Sequence, residues 1–235
     1  MLGAVVMSTL SGSRVRANVR TGVPGLKSLE VVPGLRITPR SEWGGDLRPR
    51  RKMRTEEDVK FLIVHHTAGP TVYSPSQVPQ LLRNIVQFHQ SSTKNWPDTC
   101  YNFFVDQHGG VWEGRTGSLE RPVRADATGG SQGFAQLVCL VGNFEEEQPS
   151  SEMLESLARL LGWLSRLYDI ELFQNKRVTF VSRGSNKHAR GTKVRARPIS
   201  GHRDMSFTAC PGKNVYPLLA HSIPARARRF AATLV

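Results

Sequence analysis

Four residues of this 235-residue chain have side chains of the kinds that bind metal ions. His65 and His66 follow a solid apolar run, His202 follows a strand predicted around Ile199, and Cys210 stands eight residues after His202. Imidazole nitrogen and thiolate sulfur together favour zinc. Two histidines and one cysteine would leave a fourth coordination position for water, which is the arrangement of a catalytic zinc site.

The spacing of these residues is weak evidence for a metal when taken alone. None of the short intervals of zinc fingers is present, and neither Cys100 nor Cys139 is a closely spaced fourth ligand for a structural zinc. The alternative is that the histidines are hydrogen-bonded residues at strand ends and that Cys210 is a small buried apolar residue. Residue types alone leave both interpretations open.

Strands and helices alternate along the chain around these residues. Apolar runs predict strands at 61–64, 101–105, 111–113, 136–141, 178–181 and around 199, with a hairpin turn at Gly109-Gly110. Apolar residues at helical spacing predict helices that begin near Ser74, at Ser150 or Ser151, and near Lys213. This alternation predicts the α/β class, with a single domain in which helices flank a central mixed β-sheet.

The charge of the chain is large and unevenly distributed. A formal net charge of +13 and a pI near 10.4 point to a polyanionic partner, which could be nucleic acid, anionic lipid or a cell-wall polymer. Residues 176–197 hold 8 basic and no acidic side chains, whereas 61–175 hold 7 basic and 12 acidic ones. A nucleic-acid binder more often carries its basic residues on the elements of its body, and no helix shows a basic recognition face. No apolar run approaches the roughly 20 residues of a membrane span.

Five short strings, taken in order, resemble the peptidoglycan recognition protein family and the related type 2 N-acetylmuramoyl-L-alanine amidases. They are Val64-His65-His66-Thr67-Ala68-Gly69-Pro70, Tyr101-Asn102-Phe103-Phe104-Val105, Glu113-Gly114-Arg115, Gly142-Asn143-Phe144, and Gly201-His202-Arg203-Asp204 with Cys210-Pro211-Gly212. The string Arg40-Ser41-Glu42-Trp43-Gly44 looks like the usual opening of the family. The resemblance runs from about Ile37 to Tyr216, and the segment Ser182 to Arg197 is most similar to the actinobacterial branch.

The resemblance implies a role for each matching residue. His65, His202 and Cys210 stand at the positions of the ligands of one catalytic Zn²⁺ ion. Tyr101 matches the tyrosine that amidase activity needs, and Thr208 stands where other members carry threonine or lysine. The implied reaction is hydrolysis of the amide that joins the lactyl group of N-acetylmuramic acid to L-alanine of the peptidoglycan stem peptide.

Substrate contacts are implied at further positions. His66 and Thr67 match residues that touch the junction of muramyl group and peptide, although a His66 that only packs is an equal alternative. Asn95-Trp96 is a hybrid of the Gly-Trp pair of members that prefer diaminopimelate and the Asn-Phe pair of members that prefer lysine. Arg115 matches an arginine that meets the extra diaminopimelate carboxylate, and guanidinium–carboxylate pairing supplies the reason. We therefore expect a diaminopimelate-type peptidoglycan.

The chain departs from the family before the Gly142-Asn143-Phe144 strand end. Many members carry Gly-Ala-His there, whereas this chain reads Arg124-Ala125-Asp126-Ala127. The missing histidine puts the ligand contacts of that segment in doubt, but it does not affect the metal site. A non-catalytic, peptidoglycan-binding recognition protein is the alternative function, and such members typically lack the cysteine that is present here as Cys210.

The expected organisation is an N-terminal extension at 1–35, partly irregular, a zinc amidase domain at 36–220, and a basic C-terminal helix or tail at 221–235. We expect a monomer that binds bacterial peptidoglycan, not nucleic acid, and that acts at the cell wall after secretion or release by lysis. Met1–Leu10 has no basic residue before it and is a poor match to a signal peptide. A phage lysin, a secreted autolysin and a wall-recycling enzyme all stay open. By hypothesis, the basic run 176–197 binds anionic wall polymer.

Overall fold

A mixed five-stranded sheet forms the centre of the fold, with strand order β5-β4-β6-β3-β9. The computed structural model describes residues 23, 25–56, 58–128 and 134–234. The strands are β1 (Leu29–Val32), β2 (Leu35–Ile37), β3 (Phe61–His66), β4 (Phe103–Val105), β5 (Val111–Glu113), β6 (Ala135–Leu140), β7 (Val178–Val181), β8 (Lys193–Ala196) and β9 (Ile199–Gly201). The helices are α1 (Arg40–Gly44), α2 (Val78–Gln90), α3 (Ser151–Leu167), α4 (His202–Met205) and α5 (Ser222–Ala231).

Four strands of the central sheet run parallel. β3 pairs with β6 on one side and with β9 on the other, β4 pairs with β6, and β5 turns back antiparallel to β4. β3 is therefore an inner strand, and all six of its residues are buried, as a parallel strand with two covered faces requires. The predicted α/β class with a central mixed sheet is confirmed.

The two faces of the sheet carry separate apolar cores. One face packs on α3 and α5 through a cluster that includes Leu62, Val64, Leu161 and Ile223. On the other face, a cluster with Phe104 and Cys139 of the sheet includes three buried residues of α2, which are Val78, Leu82 and Val86. A third cluster joins the sheet to β7 and β8 through Phe61, Ile63, Phe180, Val194 and Ala196. Both faces are thus covered, and the carboxyl ends of the parallel strands are left for a site.

The starts of the helices agree only in part with the sequence. The Ser150 hydroxyl accepts a hydrogen bond from the Met153 amide at 3.0 Å, so Ser150 rather than Ser151 is the cap of α3. The helix predicted near Lys213 was placed wrongly, since α5 begins at Ser222 after a 3-10 turn at Tyr216–Ala220. Around residue 214 the chain is held in a turn, because Asn214 donates to the carbonyls of Phe144 and Glu147 at 3.1 and 2.9 Å.

Both ends of the described chain join the body of the fold. β1 and β2 form an antiparallel hairpin, and Leu35 and Ile37 are buried in the same cluster as α3. Residues 1–22 and 24 of the predicted extension lie outside the described residues. At the other end, α5 packs along α3 and buries Ile223 and Ala227. No helix in the described ranges is both long enough and apolar enough to cross a bilayer.

Candidate functional site

The strand register brings His65 and His202 side by side. β3 and β9 are parallel partners, with Val64 opposite Gly201, so the next residue of each strand continues past the sheet at the same level. The ring centroids of His65 and His202 lie 4.5 Å apart. The two histidines, 137 positions apart in sequence, thus meet at the carboxyl edge of the sheet, where open α/β sheets bind their ligands.

A tight loop after α4 returns Cys210 to the same edge. Gly212 has a φ of +96°, and a Cβ at this position would lie 2.3 Å from the carbonyl carbon of Phe144. Only glycine allows the loop to approach Phe144 so closely. The loop is also closed by Thr208, whose hydroxyl accepts from the Cys210 amide at 3.2 Å. The Cys210 sulfur then lies 3.7 Å from His65 Nδ1 and accepts from the His66 amide at 3.3 Å.

His65, His202 and Cys210 form the cluster that could hold a metal. Their candidate ligand atoms all lie within 4.8 Å of one another. The buried Nε2 of His65 has no hydrogen-bond partner among the described residues, a cost that a metal or a bound molecule would relieve. Two imidazoles and one thiolate fit zinc and leave a fourth position free for water. The residues present therefore fit a catalytic zinc ion.

The protonation states of the three side chains bear on this fit. Burial lowers the pKa of His65 well below its ordinary value and lowers that of His202 to about 4, so both imidazoles are neutral near pH 7. Neutral imidazole is the form that binds a metal. Burial raises the pKa of the Cys210 thiol to about 12, and a metal that binds there must therefore displace a proton.

Tyr101 contacts the cluster from the side of β4. Its ring centroid lies 5.1 Å from that of His65 and 5.8 Å from that of His89. Burial raises the pKa of Tyr101 well above its ordinary value, and the thiols of Cys100, Cys139 and Cys210 act in the same direction. The phenol is therefore a neutral hydrogen-bond donor beside the cluster.

Asp204 holds the turn that carries His202, a role that the sequence did not single out. Its Oδ2 accepts from the Gly201 amide at 2.8 Å, and its Oδ1 accepts from the Tyr216 hydroxyl at 2.6 Å. These bonds tie the end of β9 to the 3-10 turn and fix the chain on both sides of His202. The available signal was a carboxylate three residues after a glycine that follows a strand, which is typical of a helix cap.

His66 and Thr67 make bonds that hold the strand end. The Nδ1 atom of His66 accepts from the Phe144 amide at 3.1 Å, which leaves His66 outside the metal cluster. The Thr67 hydroxyl accepts from the Gly142 amide at 2.8 Å. Both side chains therefore join β3 to the loop after β6. A contact of either residue with substrate stays a prediction.

Asn95 and Trp96 lie after the end of α2. Asn95 is exposed and has a positive φ of 49°. The ring of Trp96 is half-buried, with its centroid 4.9 Å from that of His89, which in turn contacts Tyr101. The predicted pair is thus connected to the site through His89, and its contact with substrate stays a prediction.

Arg115 is buried in an ion pair that the sequence did not reveal. Its Nη2 lies 2.5 Å from Oδ2 of Asp126, and its side chain is 2% exposed against 35% for Asp126. Its Nε and Nη1 have no hydrogen-bond partner among the described residues. Asp126 thus occupies one nitrogen of this guanidinium and leaves the other two without a partner among the described residues.

The basic run 176–197 forms a hairpin of β7 and β8. Phe180, Val194 and Ala196 are buried against the body, whereas Lys193 and Arg195 are exposed on the outer face. The alternation places these charges toward solvent because successive side chains of a strand point to opposite faces. A basic outer face on an apolar hairpin is consistent with the predicted rim for an anionic polymer.

Known proteins are similar to this chain over the region that contains the candidate site. A family model described as N-acetylmuramoyl-L-alanine amidase matches residues 55–213. Peptidoglycan recognition protein 1 of Mus musculus is 28% identical over 190 residues, which cover 78% of this chain and 85% of the mouse protein. Peptidoglycan-recognition protein SC2 of Drosophila melanogaster is 26% identical over 187 residues, which cover 80% of this chain and 86% of that protein.

Solved structures share the fold. Drosophila peptidoglycan recognition protein SD matches with a TM-score of 0.62 at 23% identity, over 80% of this chain and 94% of that one. Human PGRP-IBETAC in complex with glycosamyl muramyl pentapeptide matches with a TM-score of 0.58 at 23% identity, over 81% of this chain and 97% of that one. The N-acetylmuramoyl-L-alanine amidase LysC from Clostridium intestinale matches with a TM-score of 0.55 at 19% identity, over 76% of this chain and 91% of that one.

Proposed function

Because this chain belongs to the N-acetylmuramoyl-L-alanine amidase family, we propose that it is a zinc-dependent peptidoglycan hydrolase. It cleaves the amide between the lactyl group of N-acetylmuramic acid and L-alanine of the stem peptide. The observation that carries this proposal is the convergence of His65, His202 and Cys210, whose ligand atoms lie within 4.8 Å of one another at the carboxyl edge of the sheet.

The reaction adds water to the scissile carbonyl carbon, breaks the carbon–nitrogen bond, and delivers a proton to the leaving L-alanine amine. A bound zinc ion would supply a Lewis acid that polarises this carbonyl and lowers the pKa of water. His65, His202 and Cys210 would hold the ion and leave the substrate side open. We assign Tyr101, whose ring lies 5.1 Å from that of His65, as the donor to the oxygen on which negative charge would develop.

Thr208 has a supporting role in this mechanism. It is exposed at the cluster, and its hydroxyl oxygen accepts from the Cys210 amide. That bond orients the loop that carries the cysteine and leaves the hydroxyl hydrogen available to a substrate oxygen. The substrate is bacterial peptidoglycan, and the place of action is the cell wall. The proposed preference for diaminopimelate assigns the extra carboxylate of that residue to the Arg115 guanidinium, of which Asp126 contacts only Nη2.

Removal of the metal tests the proposal. After treatment with a strong chelator and dialysis, the protein should release no stem peptide from purified peptidoglycan, and one equivalent of zinc should restore the release. The products are measured by mass spectrometry and by the appearance of new L-alanine amino termini. Cleavage that survives the removal of zinc would contradict the mechanism, and new reducing ends in place of amino termini would contradict the bond assignment.

Charge reversal on the β7–β8 hairpin tests the predicted polymer rim. The double variant Lys193→Glu, Arg195→Glu should bind whole cell walls about tenfold more weakly at low ionic strength, and the difference should shrink as salt rises. Cleavage of a small soluble muropeptide should be unchanged. The control is Arg228→Glu, Arg229→Glu on the exposed side of α5, which makes the same change in net charge. Equal losses on both substrates, or in both variants, would refute the rim.

Binding without hydrolysis is the second candidate function. The similarity to proteins named peptidoglycan recognition proteins favours it. The presence of Cys210 in the cluster argues for hydrolysis, since a protein that only binds needs no third metal ligand. Binding to peptidoglycan that is indifferent to chelation, with no release of stem peptide at any zinc concentration, would favour this alternative.

A further inference from the structure

A cleft of about 660 Å³ opens directly beside the metal cluster. His202 and Ala127 line part of it, and the remaining lining residues come from two loops, one after β7 and one after α4. The residues that line it are Ala127, Gly184, Ser185, Asn186, His202, Ser206, Phe207 and Thr208. A group that binds in this cleft would lie next to the proposed reaction centre.

The loop after β7 is held firmly against the loop after α4. The Asn186 side chain accepts from the Phe207 amide at 2.9 Å and donates to the Phe207 carbonyl at 3.5 Å. The Ser185 hydroxyl donates to the Met205 carbonyl at 2.7 Å. The His188 ring bonds to the Asp204 carbonyl at 2.9 Å. These bonds fix the two loops to each other on this side of the cleft.

The side chains that line the cleft carry no lysine or arginine charge, although the loop after β7 is rich in basic residues. The lining residues include no lysine, arginine, aspartate or glutamate. Arg183 pairs with Glu56 at 2.9 Å, and Lys187 donates to the Arg203 carbonyl at 2.6 Å, so both cations have partners elsewhere. The stem peptide with its carboxylates would find no cation among these lining residues.

Phe207 supplies an apolar surface at the rim of this neutral cleft. Its side chain is 71% exposed, the most of any aromatic residue in the described part of the chain. An exposed aromatic ring keeps apolar surface in contact with water, which is unfavourable until a ligand covers it. A small hydroxyl-lined cleft with one aromatic wall suits a ligand that is apolar on one face and rich in hydroxyls. The pyranose ring has these properties.

We propose that Phe207 and the loop 184–186 bind an uncharged N-acetylated sugar of the glycan strand, on the sugar side of the bond to be cleaved. This subsite rests on the proposed function, because it assigns the position of the glycan relative to the cluster. The sugar ring lies on Phe207, and its hydroxyl and acetamido groups meet the backbone of residues 184–186 and the hydroxyls of Ser206 and Thr208.

The test uses a probe that the enzyme cannot cleave. The β-1,4-linked pentamer of N-acetylglucosamine has no lactyl–peptide amide, so its binding to the wild-type protein can be titrated calorimetrically at equilibrium. Phe207→Ala should weaken this binding about tenfold, as the loss of a covered aromatic surface predicts. Phe207→Tyr, which keeps the flat ring, should bind as the wild type does.

Phe173→Ala is the matched control, because Phe173 is also an exposed phenylalanine but lies beside Arg228 of α5, away from the cleft. It should bind the pentamer as the wild type does. Asn186→Ala, which releases the Phe207 loop, should weaken binding while its melting temperature stays near that of the wild type. No binding to the wild type, or equal affinities of the Phe207→Ala and wild-type proteins, would overturn the subsite.

The outcome is independent of the amidase assignment. Pentamer binding that depends on Phe207, in a protein that releases no stem peptide, would keep the subsite and refute the hydrolase. Zinc-dependent release of stem peptide, in a protein whose affinity for the pentamer is unaffected by Phe207→Ala, would keep the hydrolase and refute the subsite.

Discussion

We expect the Cys210→Ala variant to purify without stoichiometric zinc and to cleave peptidoglycan more than about 1000-fold more slowly than the wild type. The sulfur lies 3.7 Å from His65 Nδ1 and accepts from the His66 amide, and alanine replaces neither the ligand nor the acceptor. Two imidazoles alone fall short of the three protein ligands of a catalytic zinc site. Metal content by atomic absorption and the initial rate of stem-peptide release measure the two effects.

Cys139→Ala is the control for this variant. Cys139 is also a free, buried cysteine, and it stands opposite His65 in the register of β3 and β6. It does not belong to the metal cluster, so its replacement should leave one zinc per chain and most of the activity. A Cys210→Ala protein with full zinc content would show that the sulfur is not a ligand. One with full activity would refute the zinc mechanism itself.

The sequence predicts those parts of the site that depend on short segments of neighbouring residues. His65 follows the apolar run 61–64 and His202 follows the strand predicted around Ile199, so each was placed at a strand end from its neighbours. The parallel register of β3 and β9 then brings the two histidines together, because residues that follow paired positions on parallel strands are adjacent. The structure brings His65, His202 and Cys210 together, and their role as metal ligands stays a prediction.

The parts that the sequence did not predict depend on contacts between distant segments. Arg115 and Asp126 are 11 residues apart, and nothing in the sequence near Arg115 indicates that the two form an ion pair. The basic run 176–197 suggested a solvated rim by its composition. Only the fold shows that Ser185 and His188 bond to the turn that carries His202, and that residues 184–186 line the cleft beside it.

The error at the C-terminus has a similar cause. Residues 213–216 contain neither glycine nor proline, and Pro217 is the local signal that favours a later start, because proline is preferred at the first helical position. The Asn214 bonds to Phe144 and Glu147 compete with helix formation, and they exist only when the loop after β6 is in place. The helix therefore begins later, at Ser222, where Ile223 and Ala227 can pack against α3. Tertiary contacts outweigh local preference at this point.

Tyr101→Phe separates catalysis from metal binding. The substitution keeps the ring beside His65, with centroids 5.1 Å apart, and removes only the hydroxyl. We expect kcat to fall about 100- to 1000-fold, because loss of one donor to the developing oxyanion has this effect. Zinc content and KM should change little, since phenylalanine removes no ligand and the donated bond strengthens only as charge develops.

Tyr73→Phe is the control that makes this prediction specific. The Tyr73 hydroxyl donates to the Val141 carbonyl at 2.8 Å and accepts from the Gln107 amide at 2.9 Å, so its loss should lower the melting temperature. It belongs to neither the cluster nor the cleft, and kcat should stay near the wild-type value. If both phenylalanine variants lower kcat equally, the Tyr101 hydroxyl only supports the fold. If Tyr101→Phe loses zinc, the hydroxyl acts through the metal site and not on the reacting carbonyl.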